Sequence, residues 1–211
     1  MRKFIIGDIH GSYVQLEKLL KKINPDLYRE QIIFLGDYID RGPNSYNVIQ
    51  LLIGLQRQFG KDHVVLLRGN HEQMAIDNIK RKYRGPSNGY DKTLWDFERN
   101  GDSIENYIDF FTSLPLYYED ENFILVHGGI RPGVSMERQT ENDLLWIREE
   151  FFQSSITFNK TVIFGHTPTE YINGKWEPFI KKDRVGIDTG CVYGGELTAV
   201  EISEGKIVQI H

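Results

Sequence analysis

The stretch Ile32-Ile33-Phe34-Leu35-Gly36-Asp37-Tyr38-Ile39-Asp40-Arg41-Gly42 shows the unit that decides the fold, a short apolar run that leads directly into a turn of glycine and polar residues. An apolar run without polar alternation is typical of a strand that is covered on both faces. The unit recurs at residues 4–11, 64–72, 123–129 and 162–167. Because ligands gather beyond the carboxyl ends of the strands in α/β sheets, we expect these turns to converge.

Apolar residues at helical spacing lie between the predicted strands. They predict one helix from Val14 to Ile23, closed by Asn24-Pro25, and a second from Val48 to Phe59, closed by Gly60. Residues 104–114 and 142–152 are predicted to be a third and a fourth helix, and residues 185–188, 197–202 and 206–210 to be strands of a β-rich tail. We therefore expect an α/β fold with a mixed sheet, or with two packed sheets between helices.

Composition narrows the class of protein. The 211 residues are 40% hydrophobic and 26% charged, which excludes disordered and collagen-like chains. A net charge of −5 argues against a non-specific nucleic-acid binder and against binding to anionic membranes. The single cysteine, Cys191, excludes an internal disulfide scaffold, and no apolar run approaches the about 20 residues of a membrane span. We expect a single cytoplasmic domain, residues 1–211, and the sequence leaves its oligomeric state open.

Four of the six histidines follow predicted strands, together with three aspartates and one asparagine: His10, His71, His127, His166, Asp8, Asp37, Asp40 and Asn70. A single Asp-x-His pair is often only a helix cap, but packing alone does not explain five such turns. Imidazole, carboxylate and amide ligands without a thiolate suit Mn²⁺, Fe or Zn²⁺ better than a structural cysteine-type zinc site. Two such ions can activate one water and bind a phosphoryl group.

The five turns resemble the motifs of a known family. Gly7-Asp8-Ile9-His10-Gly11, Gly36–Gly42, Gly69-Asn70-His71-Glu72, His127-Gly128-Gly129 and Gly165-His166 are similar to those of the phosphoprotein phosphatase branch of the calcineurin-like metallophosphoesterases, in particular its small bacterial and phage members. The resemblance implies an α/β fold with two mixed β-sheets sandwiched between helices. It also implies two divalent metal ions, with Mn²⁺ as the favoured metal and Fe or Zn²⁺ as alternatives. It implies that Asp8 and His10 hold the first ion, that Asp37 bridges, and that the second is held by Asn70, His127 and His166.

The resemblance also implies catalytic roles. A metal-bridging hydroxide would attack phosphorus, and His71 would protonate the leaving oxygen while Asp40 orients His71 and favours its charged form. Arg41 and Asn70 would bind the phosphate oxygens. For a second arginine we favour Arg148, with Arg131 as the competitor.

The substrate is open at this stage. Asp40-Arg41-Gly42 and Gly69–Glu72 favour hydrolysis of phosphoserine and phosphothreonine monoesters. The alternative is a symmetrical diadenosine tetraphosphate (dinucleoside polyphosphate) hydrolase or a nucleotide-cap hydrolase, and a metal-binding module without turnover is the third possibility. Residues 81–114 include a basic, aromatic, glycine-rich stretch and a helical pattern, which indicate a cap where specificity would be decided.

Overall fold

The computed structural model describes residues 2–81 and 88–211, without the Arg81 side chain. The first of two five-stranded sheets has the strand order β10-β9-β1-β2-β3. Its strands are β1 (Lys3–Ile6), β2 (Gln31–Phe34), β3 (Val64–Leu66), β9 (Leu197–Glu201) and β10 (Lys206–Ile210). Strands β1, β2 and β3 run parallel, whereas β9 is antiparallel to both β1 and β10.

The second sheet has the order β4-β5-β6-β8-β7. It is built from β4 (Tyr117–Glu119), β5 (Phe123–Val126), β6 (Thr161–Phe164), β7 (Phe179–Lys181) and β8 (Arg184–Gly186). The three central strands β5, β6 and β8 are parallel, and the two edge strands are antiparallel to them. Both sheets are therefore mixed, and the prediction of two mixed sheets between helices is confirmed.

Helices complete the layers: α1 (Tyr13–Ile23), α2 (Ser45–Phe59), α3 (Asn70–Arg81), α4 (Tyr90–Arg99), α5 (Ile108–Ser113), α6 (Glu141–Trp146), α7 (Glu149–Phe152) and α8 (Thr169–Asn173). Short 3-10 turns span Ile104–Tyr107, Met136–Arg138 and Cys191–Tyr193. Within the described ranges, no helix combines the length and the apolar character that crossing a membrane requires.

The core explains the unbroken apolar runs. Ile5, Ile33, Leu125 and Ile163 belong to a buried cluster to which both sheets contribute. Their neighbours along the strands, such as Ile6, are buried in other clusters together with helix residues. Because successive side chains of a strand point to opposite faces, a strand between a sheet and a helix layer needs apolar residues on both.

Three sequence predictions need correction. The helix predicted at 142–152 is interrupted, because Ile147 is extended and Arg148 is not helical, so that α6 and α7 are separate. The helix predicted at 104–114 begins as a 3-10 turn before α5. Strands β4 and β7 were not predicted, since each is a three-residue edge strand with exposed positions and carries little apolar signal.

The predicted cap, 81–114, contains α4 and α5, and its residues 82–87 lie outside the described residues.

Candidate metal centre

The turns after five parallel strands meet across the two sheets. The Asp8 carboxylate, after β1, accepts a hydrogen bond from the backbone N–H of His166, after β6, at 2.9 Å. His127, after β5, places Nδ1 3.1 Å from the carbonyl oxygen of Leu35, at the end of β2. Asn70, after β3, lies between His127 and His166, with its Oδ1 2.8 Å from a ring nitrogen of each. The expected convergence of the turns is present.

Asp37 lies at the middle of this convergence, and its two carboxylate oxygens face different histidines. Oδ2 is 3.4 Å from Nε2 of His10 and 4.0 Å from Nε2 of His71, while Oδ1 is 3.3 Å from Nε2 of His127. Two groups with metal-ligand spacing therefore share Asp37: one with His10 and His71, the other with His127 and His166. This arrangement suits a carboxylate that bridges two ions. His71 had not been predicted as a ligand.

Hydrogen bonds on the far side of the rings orient the histidines. Nδ1 of His10 donates to the carbonyl oxygen of Ile39 at 2.8 Å, which leaves its Nε2 as an acceptor. Nη1 of Arg41 lies 2.5 Å from that Nε2. Histidines that bind a metal through one ring nitrogen usually donate a hydrogen bond from the other ring N–H, often to a backbone carbonyl oxygen.

Buried polar atoms without partners test whether the site fits a cation. Among the described residues five such atoms occur, and three lie here: Asp8 Oδ1, His71 Nε2 and His166 Nε2. Such atoms are costly unless a ligand satisfies them. Gly69 also has to be glycine, because a Cβ would lie 2.2 Å from Asp37 Oδ1. The residues present fit a divalent metal centre with nitrogen and oxygen ligands.

The electrostatics of the site are those of crowded buried carboxylates. Burial raises the pKa of Asp8 well above its usual range, and Asp188 and Asp37 raise it further. Burial also acts against ionisation of Asp37, but His127 and His71 hold the pKa of Asp37 well below its usual range. Burial lowers the pKa of His127, yet Asp37 outweighs it and brings that pKa to about 9. A cation among these groups would relieve the repulsion between the carboxylates.

His71 and Asp40 form a buried pair next to Asp37. Nδ1 of His71 is 2.6 Å from Oδ2 of Asp40, and both side chains are about 1% exposed. Burial raises the pKa of Asp40 to about 8 and lowers the pKa of His71 to about 4. Burial thus disfavours the charged forms of both groups, while the charge of Asp37 favours the charged form of His71. The orientation of His71 by Asp40 stays a prediction.

The arginines differ in their partners. Arg148 donates from Nη1 to Thr167 Oγ1 at 3.1 Å and to the carbonyl oxygen of His166 at 3.3 Å. Arg131 instead pairs with the carboxylates of Asp143 and Glu150, each at 2.8 Å. The break between α6 and α7 is what places Arg148 beside His166. Among the two alternatives, only Arg148 adjoins the metal centre.

The sequence profile of the calcineurin-like phosphoesterases matches residues 1–195. The chain belongs to this family. The five sequence motifs predicted this family for the calcineurin-like phosphoesterase, and that prediction is confirmed. A divalent-metal-dependent phosphoesterase is what the family and the histidine–aspartate clusters together indicate.

Three known proteins are similar to this chain over nearly its whole length. An asymmetrical bis(5'-nucleosyl)-tetraphosphatase, PrpE, from Oceanobacillus iheyensis is 27% identical over 243 positions and is matched over 100% of this chain and 92% of its own length. The crystal structure of a candidate diadenosine tetraphosphatase superposes with a TM-score of 0.77 at 24% identity, covering 99% and 92% of the two chains. A serine/threonine phosphatase from Saccharomyces cerevisiae superposes with a TM-score of 0.72 at 17% identity, covering 100% and 80%.

Sequence reasoning missed Thr93 of α4. Its hydroxyl donates to Asp40 Oδ1 at 2.7 Å and accepts from the Asp40 backbone N–H at 2.9 Å. Ser45 Oγ also accepts from that N–H, at 3.2 Å. Thr93 is fully buried, and it holds the Asp40 carboxylate that contacts His71. No local signal marked Thr93, because its partner lies 53 residues away along the chain.

Glu72 was quoted only as part of a motif, yet it connects two of the turns. Its fully buried carboxylate accepts backbone N–H groups of Asp37 and Gly69, both at 2.9 Å, and of Tyr38 at 2.8 Å. Burial raises its pKa to about 7. Asp188, at the end of the strand predicted at 185–188, is also buried, and burial raises its pKa to about 6. The available signal was that Asp188 directly follows a short apolar stretch and that Glu72 lies in one of the five polar turns.

Left-handed backbone conformations mark the same region. Of the seven described non-glycine residues with positive φ, five lie at the centre: His10, Asp37, Asp40, Arg41 and His166. Such conformations cost free energy and persist only where the surrounding structure imposes them, typically at functional sites. The turns therefore adopt strained backbone conformations that direct their side chains towards the site.

Proposed function

We propose that this calcineurin-like phosphoesterase hydrolyses dinucleoside polyphosphates in the cytoplasm. We propose that it uses two divalent ions, with Mn²⁺ as the favoured metal. The observation that carries the proposal is the placement of Arg41 beside His10 and of Arg148 beside His166, at the two ends of the metal centre. Two guanidinium groups so placed suit a chain of several phosphates better than a single one. The names of the tetraphosphatase relatives, which match almost the whole chain, support it.

The proposed metal ligands are those that the resemblance implies. Asp8 and His10 would hold one ion, Asp37 would bridge, and Asn70, His127 and His166 would hold the other. When bound, the ions polarise the phosphoryl oxygens and lower the pKa of the attacking water. The spacing of the oxygen and nitrogen atoms around Asp37 supports this assignment.

The protein's own residues bind the substrate and move the proton. Arg41, Asn70 and Arg148 would donate hydrogen bonds to phosphate oxygens and hold the chain in line. A hydroxide, formed when the attacking water gives a proton to the solvent, would bond to phosphorus as the bond to the departing phosphate oxygen breaks, and protonated His71 would give that oxygen the proton on Nε2. Asp40 would hold the ring through Nδ1, which leaves the unpartnered Nε2 directed at the site.

A paired turnover assay tests the proposal. Chelator-treated protein reloaded with Mn²⁺ is given diadenosine tetraphosphate or a phosphoserine peptide at matched concentrations. We expect faster turnover of the dinucleotide, and the relatives' designation favours ATP and AMP as products over two ADP. Faster phosphate release from the peptide would overturn the proposal.

One observation favours a second function, hydrolysis of phosphoserine and phosphothreonine. The short contact between His71 and Asp40 suits a leaving alkoxide, which is a strong base and needs a proton more than a departing phosphate does. If the peptide is the substrate, His71→Asn should lower its turnover by about 10²–10⁴-fold. A much smaller loss would favour the anhydride of the first proposal.

A further inference from the structure

An apolar cavity opens beside the metal centre, where Arg148 both lines the cavity and donates to the carbonyl oxygen of His166. Its volume is about 570 Å³, within the range of small-molecule sites. Three aromatic rings, a proline and two charged side chains surround it: Tyr171, Trp176, Tyr193, Pro168, Arg148 and Glu170. None of these except Arg148 belongs to the motifs or to the proposed catalytic residues.

The ring of Trp176 is held in a definite place. It packs on Gly190, where a Cβ would lie only 2.0 Å from its Cζ3 atom, so that any other residue at this position would displace the ring. The ring of Tyr193 is inclined by only 20° to that of Trp176, with centroids 6.4 Å apart. The hydroxyl of Tyr171 donates a hydrogen bond to Glu149. The flat walls of the cavity are therefore positioned by packing and hydrogen bonding.

The cavity is continuous with the two arginines of the phosphate site. Arg148 lines the cavity, and its Nη1 donates hydrogen bonds to Thr167 Oγ1 and to the carbonyl oxygen of His166. The guanidinium carbon of Arg41 lies 5.4 Å from the centre of the Tyr193 ring. A ligand that spans both regions has an anionic part for the arginines and a flat apolar part for the rings. Glu170 repels phosphates from the cavity, so the flat part fits there.

We infer that the cavity binds the base of a nucleoside polyphosphate, stacked on Trp176 or Tyr193. The inference rests on the proposed function and adds the site of base recognition to it. Stacking on an aromatic ring tolerates any base. A carboxylate can only accept hydrogen bonds, so Glu170 suits a base that presents an amino group, such as adenine. The determinant of specificity is then the segment 168–176, which includes α8, together with the 191–193 turn, and not the 81–114 region.

A binding experiment isolates the contribution of the base. AMP and ribose 5-phosphate carry the same phosphate, and only AMP carries a base. We expect the wild-type protein to prefer AMP, Trp176→Ala to reduce this preference by about tenfold, and Trp176→Phe to restore most of it. The matched control is Trp95→Ala, which removes an exposed tryptophan of α4 and should leave the preference as in the wild type. If Trp95→Ala loses the preference instead, the base binds at the 81–114 region and the inference is wrong.

A kinetic experiment separates this inference from the proposed function. The ratio of kcat/KM for diadenosine tetraphosphate to that for inorganic tetraphosphate should fall about tenfold in Trp176→Ala, whereas a general disturbance lowers both and preserves the ratio. If wild-type protein does not cleave the dinucleotide but keeps its Trp176-dependent preference for AMP, the proposed function fails and the base site stands. If it cleaves the dinucleotide while AMP and ribose 5-phosphate bind equally, the base site fails and the function stands.

A phosphotyrosine peptide provides the competing aromatic phosphate. If Trp176→Ala raises KM for that peptide and leaves KM for the dinucleotide unchanged, the cavity binds a phenyl ring and the inference is overturned.

Discussion

The two sides of the metal centre are built in opposite ways. On the α4 side, fully buried Thr93 and Ser45 hold Asp40 by hydrogen bonds, and Lys92 donates to the carbonyl oxygen of Arg41 at 2.8 Å. On the α8 side, Trp176 and Tyr193 present apolar rings to an open cavity. A buried hydrogen-bonded side fixes the geometry of reacting groups, whereas exposed rings offer surface to a ligand. We expect changes on the α4 side to alter kcat and those on the α8 side to alter KM.

Asp37 lies between the two sides, and its substitution should have the largest effect. Asp37→Asn removes a negative charge that faces histidines of both clusters, so we expect loss of bound metal and a fall in kcat/KM of about a thousandfold, the equivalent of several kcal/mol. Elemental analysis of dialysed protein together with turnover measures this. The control Asp109→Asn, at an exposed position, should change neither. Full metal content in Asp37→Asn would contradict the bridging role.

Arg148→Ala should have the next largest effect. Loss of charge-assisted hydrogen bonds of about 1.5–3 kcal/mol corresponds to a fall in kcat/KM of about 10- to 150-fold. Arg131→Ala should change kcat/KM by less than about threefold, since Arg131 already pairs with Asp143 and Glu150. Steady-state kinetics of both variants decide between them. A larger effect of Arg131→Ala than of Arg148→Ala would mean that Arg131 binds the phosphate and that the assignment to Arg148 is wrong.

Thr93→Val tests the α4 side with a change that keeps the shape of the side chain. Asp40 loses the hydroxyl contacts that orient it towards His71, so kcat should fall about tenfold, as for outer partners of catalytic groups, while KM stays within about twofold. The exposed Thr112→Val is the control. Melting temperatures show whether each variant is folded. An increase in KM at unchanged kcat would mean that the α4 side binds substrate.

The double variant Thr93→Val/Trp176→Ala carries the smallest expected effect. If the two sides act independently, their losses in kcat/KM multiply to within about twofold, as for distant sites without shared partners. A full set of kinetics for the wild type, both single variants and the double variant gives the coupling. A deviation of about tenfold or more would show that the two sides act as one unit.

Much of the fold was predictable because each central strand is apolar on both faces and ends in a polar turn. The five turns predicted from residues 4–11 to 162–167 all reach the metal centre, and the family was predicted from them. Strands β4 and β7 carry no such signal, because an exposed edge strand needs few apolar residues. The break at Ile147 and Arg148 also escaped prediction, since apolar residues continue at helical spacing across it.

The sequence by itself determined the family, the polar turns that meet at the site and the strands that these turns follow. These follow from local pattern, because strand, turn and ligand are contiguous in the chain. Only the tertiary structure decided that Thr93 holds Asp40, that Arg148 and not Arg131 adjoins His166, and that Trp176 packs on Gly190 beside Tyr193. Such pairs are far apart in the chain, and hydrogen bonding and ring packing require the contact that only folding brings about.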